Sequence, residues 1–167
     1  MEMKPQLAEA FNRHIALELE SSLAYLQMAA YFEAASLPGM ASWMRLQSEE
    51  ERAHALKFFD FLLDRGNDVT LVALGAPRSE FESPADVFHT ALEQEQKVSA
   101  AIAELHRTAT EAGDAASYAL LQWFLEEQVE EEATVGQILD QLRLAGDEGT
   151  ALLLLDRELG ARGPSPA

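Results

Sequence analysis

Apolar residues recur at steps of three and four along almost the whole chain, and no run alternates with the period of two that a half-buried strand needs. The pattern predicts an all-α protein. A first helix begins near Pro5, a residue suited to a first turn, and stops before Leu37-Pro38-Gly39. A second runs from about Met40 to Arg65 and is closed by Gly66. Residues 66–83, GNDVTLVALGAPRSEFES, lack helical periodicity and read as an extended connection, long for a compact domain. At about 3.3 Å per residue it can run back along a helix of about 40 Å, which sets helices two and three parallel through one long crossover. Ser83-Pro84-Ala85-Asp86 combines an N-cap, a first-turn proline and an early acid, and starts a third helix that reaches about Glu111. Gly113-Asp114 ends it and caps a fourth, which continues to Ala145-Gly146. A short fifth helix, about Glu148 to Leu159, carries Leu152 to Leu155 in succession. Apolar on most of its circumference, it needs partners beyond its own domain.

The core-facing seam of each long helix is interrupted in the same way. Helix one runs Leu7, Phe11, Ile15, Glu18, Ser22, Tyr25, Met28, and helix two Met40, Met44, Gln47, Glu51, His54, Phe58, Phe61. Helix three runs Phe88, Leu92, Glu95, Val98, Ile102, Leu105, and helix four Leu121, Leu125, Gln128, Glu131, Val135, Ile138, Leu142. Each seam thus holds one glutamate near its middle, so four carboxylates converge at mid-bundle. Four buried carboxylates cannot all remain ionised without countercharge, and no Lys or Arg lies on these seams. Two divalent cations supply it, with Glu51 and His54 one turn apart on one face to chelate. A glutamate run such as Glu49-Glu50-Glu51 is by itself an ordinary solvated face, and a lone Glu-x-x-His is equally unspecific. Their coincidence with a mid-seam glutamate on every helix carries the reading. Carboxylates with few imidazoles and no sulfur suit iron or manganese better than copper.

The remaining candidates are weaker. His14 lies one turn before Glu18 but is read as a partly exposed histidine, and His89 and His106, without seam partners, as surface residues. Tyr25, two turns after Glu18, is open to two readings: a donor of a hydrogen bond or an electron near the site, or plain core packing. Trp123 is read as packing.

Composition then narrows the partners. Twelve Lys and Arg against 29 Asp and Glu leave a formal charge of −17, which repels nucleic acid and anionic membranes and attracts cations. There is no cysteine, so disulfides, iron–sulfur clusters, thiolate zinc sites and a catalytic thiol are excluded, and a reducing cytoplasm fits. The start, MEMKPQLAEAF, has no signal-like pattern and the longest aliphatic run is far short of a membrane span, so a soluble, unprocessed protein is expected. No nucleotide-binding or serine-hydrolase fingerprint is present.

The segments LELESSLAY (17–25), EEERAHALKFFDFLLDRG (49–66), LEQEQKV (92–98) and LQWFLEEQVEEE (121–132) resemble a bacterial non-haem ferritin, and the likeness covers nearly the whole chain. The resemblance implies a ferritin-like four-helix bundle with one long crossover and a short fifth helix: a di-iron domain over 1–160 and a disordered tail over 161–167. It implies a ferroxidase that oxidises Fe(II) with O2 or H2O2 and stores Fe(III) as a mineral in a hollow homo-oligomer of twenty-four subunits. By position, Glu18, Glu51 and His54 hold the first iron, Glu51 bridges to the second, and Glu95 and Glu131 complete it. Gln128 falls where the family places an amide beside the site. Glu50, Glu127 and Glu130, with Glu131, match a third, inner iron site.

Departures from related families sharpen the expectation. Bacterioferritins repeat Glu-x-x-His on the fourth helix, whereas Glu131 is followed by Thr134 here. They also bind haem through a methionine just after the bridging glutamate, where this chain has Arg52, so no haem is expected. Rubrerythrins append a four-cysteine module, and DNA-protecting mini-ferritins lack the fifth helix. Two other readings stay open: a di-iron oxidase or peroxidase without storage, and a metal-free structural oligomer.

Overall fold

The computed structural model describes residues 2–164 and is built from five helices. They are α1 (Pro5–Ala34), α2 (Pro38–Asp64), α3 (Pro84–Ala112), α4 (Ala115–Ala145) and α5 (Gly149–Gly160). Short turns fold α1 against α2 and α3 against α4. Proline stands in the first turn of α1, α2 and α3, where its missing N–H costs nothing. At α3 the Ser83 hydroxyl accepts from the Asp86 N–H at 3.1 Å, and at α4 the Asp114 carboxylate accepts from the Ser117 N–H at 3.0 Å. Gly113 ends α3 at φ 68°, a left-handed cap that glycine adopts without strain. Arg65 grips Asp114 through two hydrogen bonds of 3.0 and 2.8 Å, tying the end of α2 to the α3–α4 turn.

The expected crossover is present and its path is fixed by side chains. Asn67 meets Met3, Asn12 bonds the backbone of Asp68 and Thr70, the Glu20 carboxylate accepts from the Gly75 N–H, and Phe81 packs on Tyr31. The segment therefore climbs beside α1 from its start towards its end. Phe88 of α3 then meets Phe32, while Lys4 reaches the Ala112 carbonyl at the far end of α3. So α3 runs antiparallel to α1 and parallel to α2.

Two boundary expectations need correction. Helix two starts at Pro38 rather than Met40, because proline and glycine here open a helix instead of breaking one. Gly39 belongs there for a packing reason: a Cβ at this position would lie 1.8 Å from the Asp156 carbonyl oxygen of α5. The Asp156 side chain also accepts from the Met40 N–H at 2.8 Å, satisfying one of the free donors of the α2 N-terminus. The seams also drift by one residue near their ends, as 3.6 residues per turn requires. Leu62, Ala91 and Phe124 are buried where Phe61, Leu92 and Leu125 were expected, and those three are only partly buried.

The hydrophobic core is divided. One apolar cluster joins the end of α1, the start of α2 and α3, the end of α4 and α5; the other joins the opposite ends of the four long helices. Between them lies a band of buried Glu18, Gln47, Glu51, His54, Glu95 and Gln128. No helix among the described residues is long and apolar enough to cross a membrane.

Candidate metal centre

Each of the four long helices delivers one glutamate to this band. Glu18 and Glu95 are fully buried and Glu51 is 1 % exposed, while Glu131 is half-buried at the edge of a cavity. Glu18, Glu51 and His54 each bring a ligand atom to within 4.8 Å of the others, a spacing that a single cation can bridge. Glu51 and His54 are three residues apart on α2 and share a face, as the sequence spacing requires. His54 is wedged edge-on against Trp123 and Phe124, which fixes its ring.

The polar atoms of this group are unsatisfied in an informative way. Both Glu51 carboxylate oxygens, Glu18 Oε2 and His54 Nδ1 are buried without a hydrogen-bond partner. A buried carboxylate lacking a donor costs several kcal/mol, so an arrangement of this kind must either hold protons or take a positive ion among its oxygens. Donors that are all carboxylate oxygen plus one imidazole nitrogen fit iron or another divalent first-row metal.

Around the open ligand atoms, other contacts are closed. His14 Nε2 lies 2.7 Å from Glu18 Oε1, and the ring packs on Phe58. His14 is buried, not partly exposed as expected from the sequence, and it orients the Glu18 carboxylate. The Tyr25 hydroxyl donates to Glu95 Oε1, while Gln128 Nε2 lies 3.2 Å from Glu95 Oε2 and also reaches Ser99. Tyr25 is therefore both core and hydrogen-bond donor. Gln47 Nε2 donates to Glu131 Oε2 at 2.7 Å. Gln47 was legible only as a polar residue on a seam, one turn before Glu51, and its pairing with Glu131 on another helix needed the structure.

Burial and mutual repulsion set the proton affinities. Desolvation, then the charges of Glu95 and Glu18, hold the Glu51 carboxyl well above the usual carboxylate range. Desolvation pushes Glu95 up to about 7 against the opposing hydrogen bonds from Tyr25 and Gln128. Desolvation, then the charges of Glu95 and Glu50, raise Glu131 to about 8. Burial pushes the Tyr25 hydroxyl well above its ordinary value, so it remains a donor at neutral pH, and burial lowers His54, keeping its imidazole neutral and able to ligate.

Glu50, Glu127, Glu130 and Glu131 line one cavity of about 630 Å³ beside this band, together with Trp123 and Lys57. Lys57 sits over the Trp123 ring, 3.8 Å from its centroid, so Trp123 is more than packing. Of the tail expected to be disordered, residues 165–167 lie outside the described residues. Arg162 departs from that expectation: it enters the same cavity and bonds Gln47 Oε1 at 2.6 Å and Glu50 Oε2 at 2.5 Å. His89 is exposed, whereas His106 is partly buried against Tyr118; neither approaches the band.

A bundle of antiparallel helices with one long crossover and a carboxylate-rich mid-core defines a class, the ferritin-like proteins. The chain belongs to that family: the ferritin-like domain model matches residues 8–145. It is 38% identical to the bacterial non-heme ferritin of Staphylococcus haemolyticus over 160 residues, 96% of each chain. Its relative in Staphylococcus aureus, of the same description, is 37% identical over the same length. Among solved structures, it is similar to an open-pore ferritin from the archaeon Archaeoglobus fulgidus: 44% identity, TM-score 0.95, covering 97% of this chain and 100% of that one. A closed form of the A. fulgidus ferritin engineered by mutagenesis matches at 43% identity and TM-score 0.96, covering 98% and 100%.

Proposed function

We propose that this protein stores and detoxifies iron, acting as a ferroxidase at a di-iron centre and depositing the ferric product inside a hollow homo-oligomer. The observation that carries this reading is the set of buried, donor-less oxygens of Glu18 and Glu51 facing His54, in a chain of the ferritin-like family. Fe(II) is the substrate. Glu18, Glu51 and His54 hold the first ion, Glu51 bridges, and Glu95 and Glu131 hold the second. Two Fe(II) ions carry four positive charges against four carboxylates, which offsets the desolvation and mutual repulsion that raise the proton affinities of Glu51, Glu95 and Glu131. The protons held by Glu95 and Glu131 near neutrality leave as the second ion binds.

The pair of ions yields two electrons together. That is the number that, with two protons, reduces O2 to H2O2 or H2O2 to two waters. His14 and Gln128 orient Glu18 and Glu95, and the buried Tyr25 hydroxyl steadies Glu95 from the other side. Glu50, Glu127 and Glu130 at the cavity serve a third, inner ion together with Glu131, on the path from the oxidised pair to the mineral. Leu153 and Leu154 of α5 are more than half exposed on the single chain, as are Leu71 and Val72 of the crossover, and such apolar patches call for neighbouring subunits. A closed shell of twenty-four subunits covers them.

Aerobic Fe(II) loading followed by sedimentation and elemental analysis tests the proposal. Hundreds of irons co-sedimenting with one large assembly are expected. A few irons on a small oligomer supports an oxidase without storage, and no bound iron refutes both.

A further inference from the structure

Arg162 stands two residues beyond the end of α5, far in sequence from everything it touches. Its guanidinium donates to Gln47 Oε1 at 2.6 Å and to Glu50 Oε2 at 2.5 Å, and lies over the Trp43 ring, 4.9 Å from its centroid. A planar fork held on three sides, with less than a quarter of the side chain exposed, is an ordered contact rather than a drifting surface charge. It shares the cavity with Glu127, Glu130 and Glu131, and the cavity's other cation, Lys57, is placed over Trp123.

Two consequences follow from the bonding. Because Gln47 Oε1 accepts from Arg162, its amide nitrogen is turned towards Glu131, where it donates at 2.7 Å. And because Glu50 Oε2 is engaged by a fixed positive charge, a metal ion that would bind that oxygen meets a cation already in place. We propose that Arg162 is a tethered cation of the inner carboxylate cavity, neutralising Glu50 in the metal-free protein and yielding it when a metal ion binds there. The inference rests on the reading of Glu50, Glu127, Glu130 and Glu131 as an inner ion site.

α5 itself is anchored independently of this contact. Gly39 and Gly160 pack so closely that a Cβ on Gly160 would lie 2.8 Å from Gly39 Cα, and Asp156 bonds the Met40 N–H. Release of Arg162 therefore needs only rotation of its side chain and of the segment after Gly160, while the helix stays seated. The charge then moves from a closed ion pair to the cavity mouth, and the inner ion competes with a built-in occupant that reaches the mid-bundle pair only indirectly, through Gln47 and Glu131.

Calorimetric titration of the metal-free, assembled protein with Zn(II), which cannot be oxidised, tests this. Native protein is expected to bind two ions tightly and a third more weakly. Arg162→Gln, which keeps a hydrogen-bond donor but removes the charge, should bind the third about three- to fivefold more tightly with the ion at Glu18, Glu51 and His54 unchanged, while Arg162→Lys, which keeps the charge but not the planar fork, should lie closer to native than Arg162→Gln does. Glu130→Ala should lose the third ion in either background. Circular dichroism verifies that each variant is folded. An unchanged or weakened third affinity in Arg162→Gln, with Glu130→Ala still abolishing that ion, overturns the role of Arg162 and leaves the inner site standing. Absence of a third ion from native protein and Arg162→Gln alike overturns the inner site and this inference with it.

Discussion

Metal-free protein should lose stability as pH rises through neutrality. Glu131 has its folded-state proton affinity raised to about 8 and Glu95 to about 7, both chiefly by desolvation, from an ordinary value of 4.5. A carboxyl raised in the folded state holds a proton that the unfolded chain has released. Its contribution is full below the unfolded value and is lost as pH climbs to the folded one, at about 1.4 kcal/mol per pH step. Between pH 6.5 and 8, Glu131 alone withdraws about 2 kcal/mol, and Glu95 adds to this up to about pH 7. His54 is lowered from 6.5, so its opposing contribution is nearly complete at pH 6.5 and returns only about 0.4 kcal/mol across this window, and Asp114, held near 2 by Arg65, titrates far from it. For a chain of this length about 2 kcal/mol moves a thermal midpoint by roughly 4–8 °C. The assay is thermal unfolding by circular dichroism in chelator at pH 6.5, 7.2 and 8, at one protein concentration, since assembly makes the midpoint concentration-dependent. Zn(II) should reverse the slope, because the ion replaces the protons and binds more tightly as they leave. Glu131→Gln should flatten the metal-free slope. A midpoint that stays level or rises from pH 6.5 to 8 in chelator would show that Glu95 and Glu131 do not hold protons in the folded state near neutrality.

Three further outcomes follow from the contacts. Glu51→Ala should abolish rapid oxidation of the first two Fe(II) per subunit in stopped-flow mixing with O2, whereas Glu130→Ala should keep that first turnover and alter later additions; the reverse result would contradict the assignment of bridge and inner site. His14→Leu removes the partner 2.7 Å from Glu18 Oε1 and should weaken the first Zn(II) by about tenfold or more, with a folded bundle by circular dichroism. Gly160→Ala forces a Cβ against Gly39 and should cost about 1–3 kcal/mol in denaturant unfolding, whereas a neutral result would mean that α5 is not held by this close approach.

The helices were legible because each long one carries an apolar stripe whose period matches its geometry from end to end, broken only by polar residues near its middle, and the crossover because residues 66–83 lack one. The four mid-seam glutamates were legible for the same reason: a carboxylate at a position that packing reserves for leucine stands out. What escaped was set by tertiary neighbours. His14 occupies a seam position between Phe11 and Ile15, four residues before Glu18, and that spacing was the available signal for its burial. Its pairing depended on which way Glu18 turned. Gln47 and Glu131 meet across two helices, and Arg162 reaches the cavity only because α5 docks on α2 through Gly39 and Gly160, an approach that no periodicity reveals. Pro38-Gly39 read as a break because the same two residues serve both to stop one helix and to open the next.

The central claim, a two-ion centre spanning four helices, is tested most directly by anomalous diffraction from crystals soaked in Fe(II) without oxygen. Two peaks about 3.5–4 Å apart are expected. One should lie among Glu18, Glu51 and His54, and the other among Glu51, Glu95 and Glu131. Density at neither position, or ions only at the outer surface, would contradict the account.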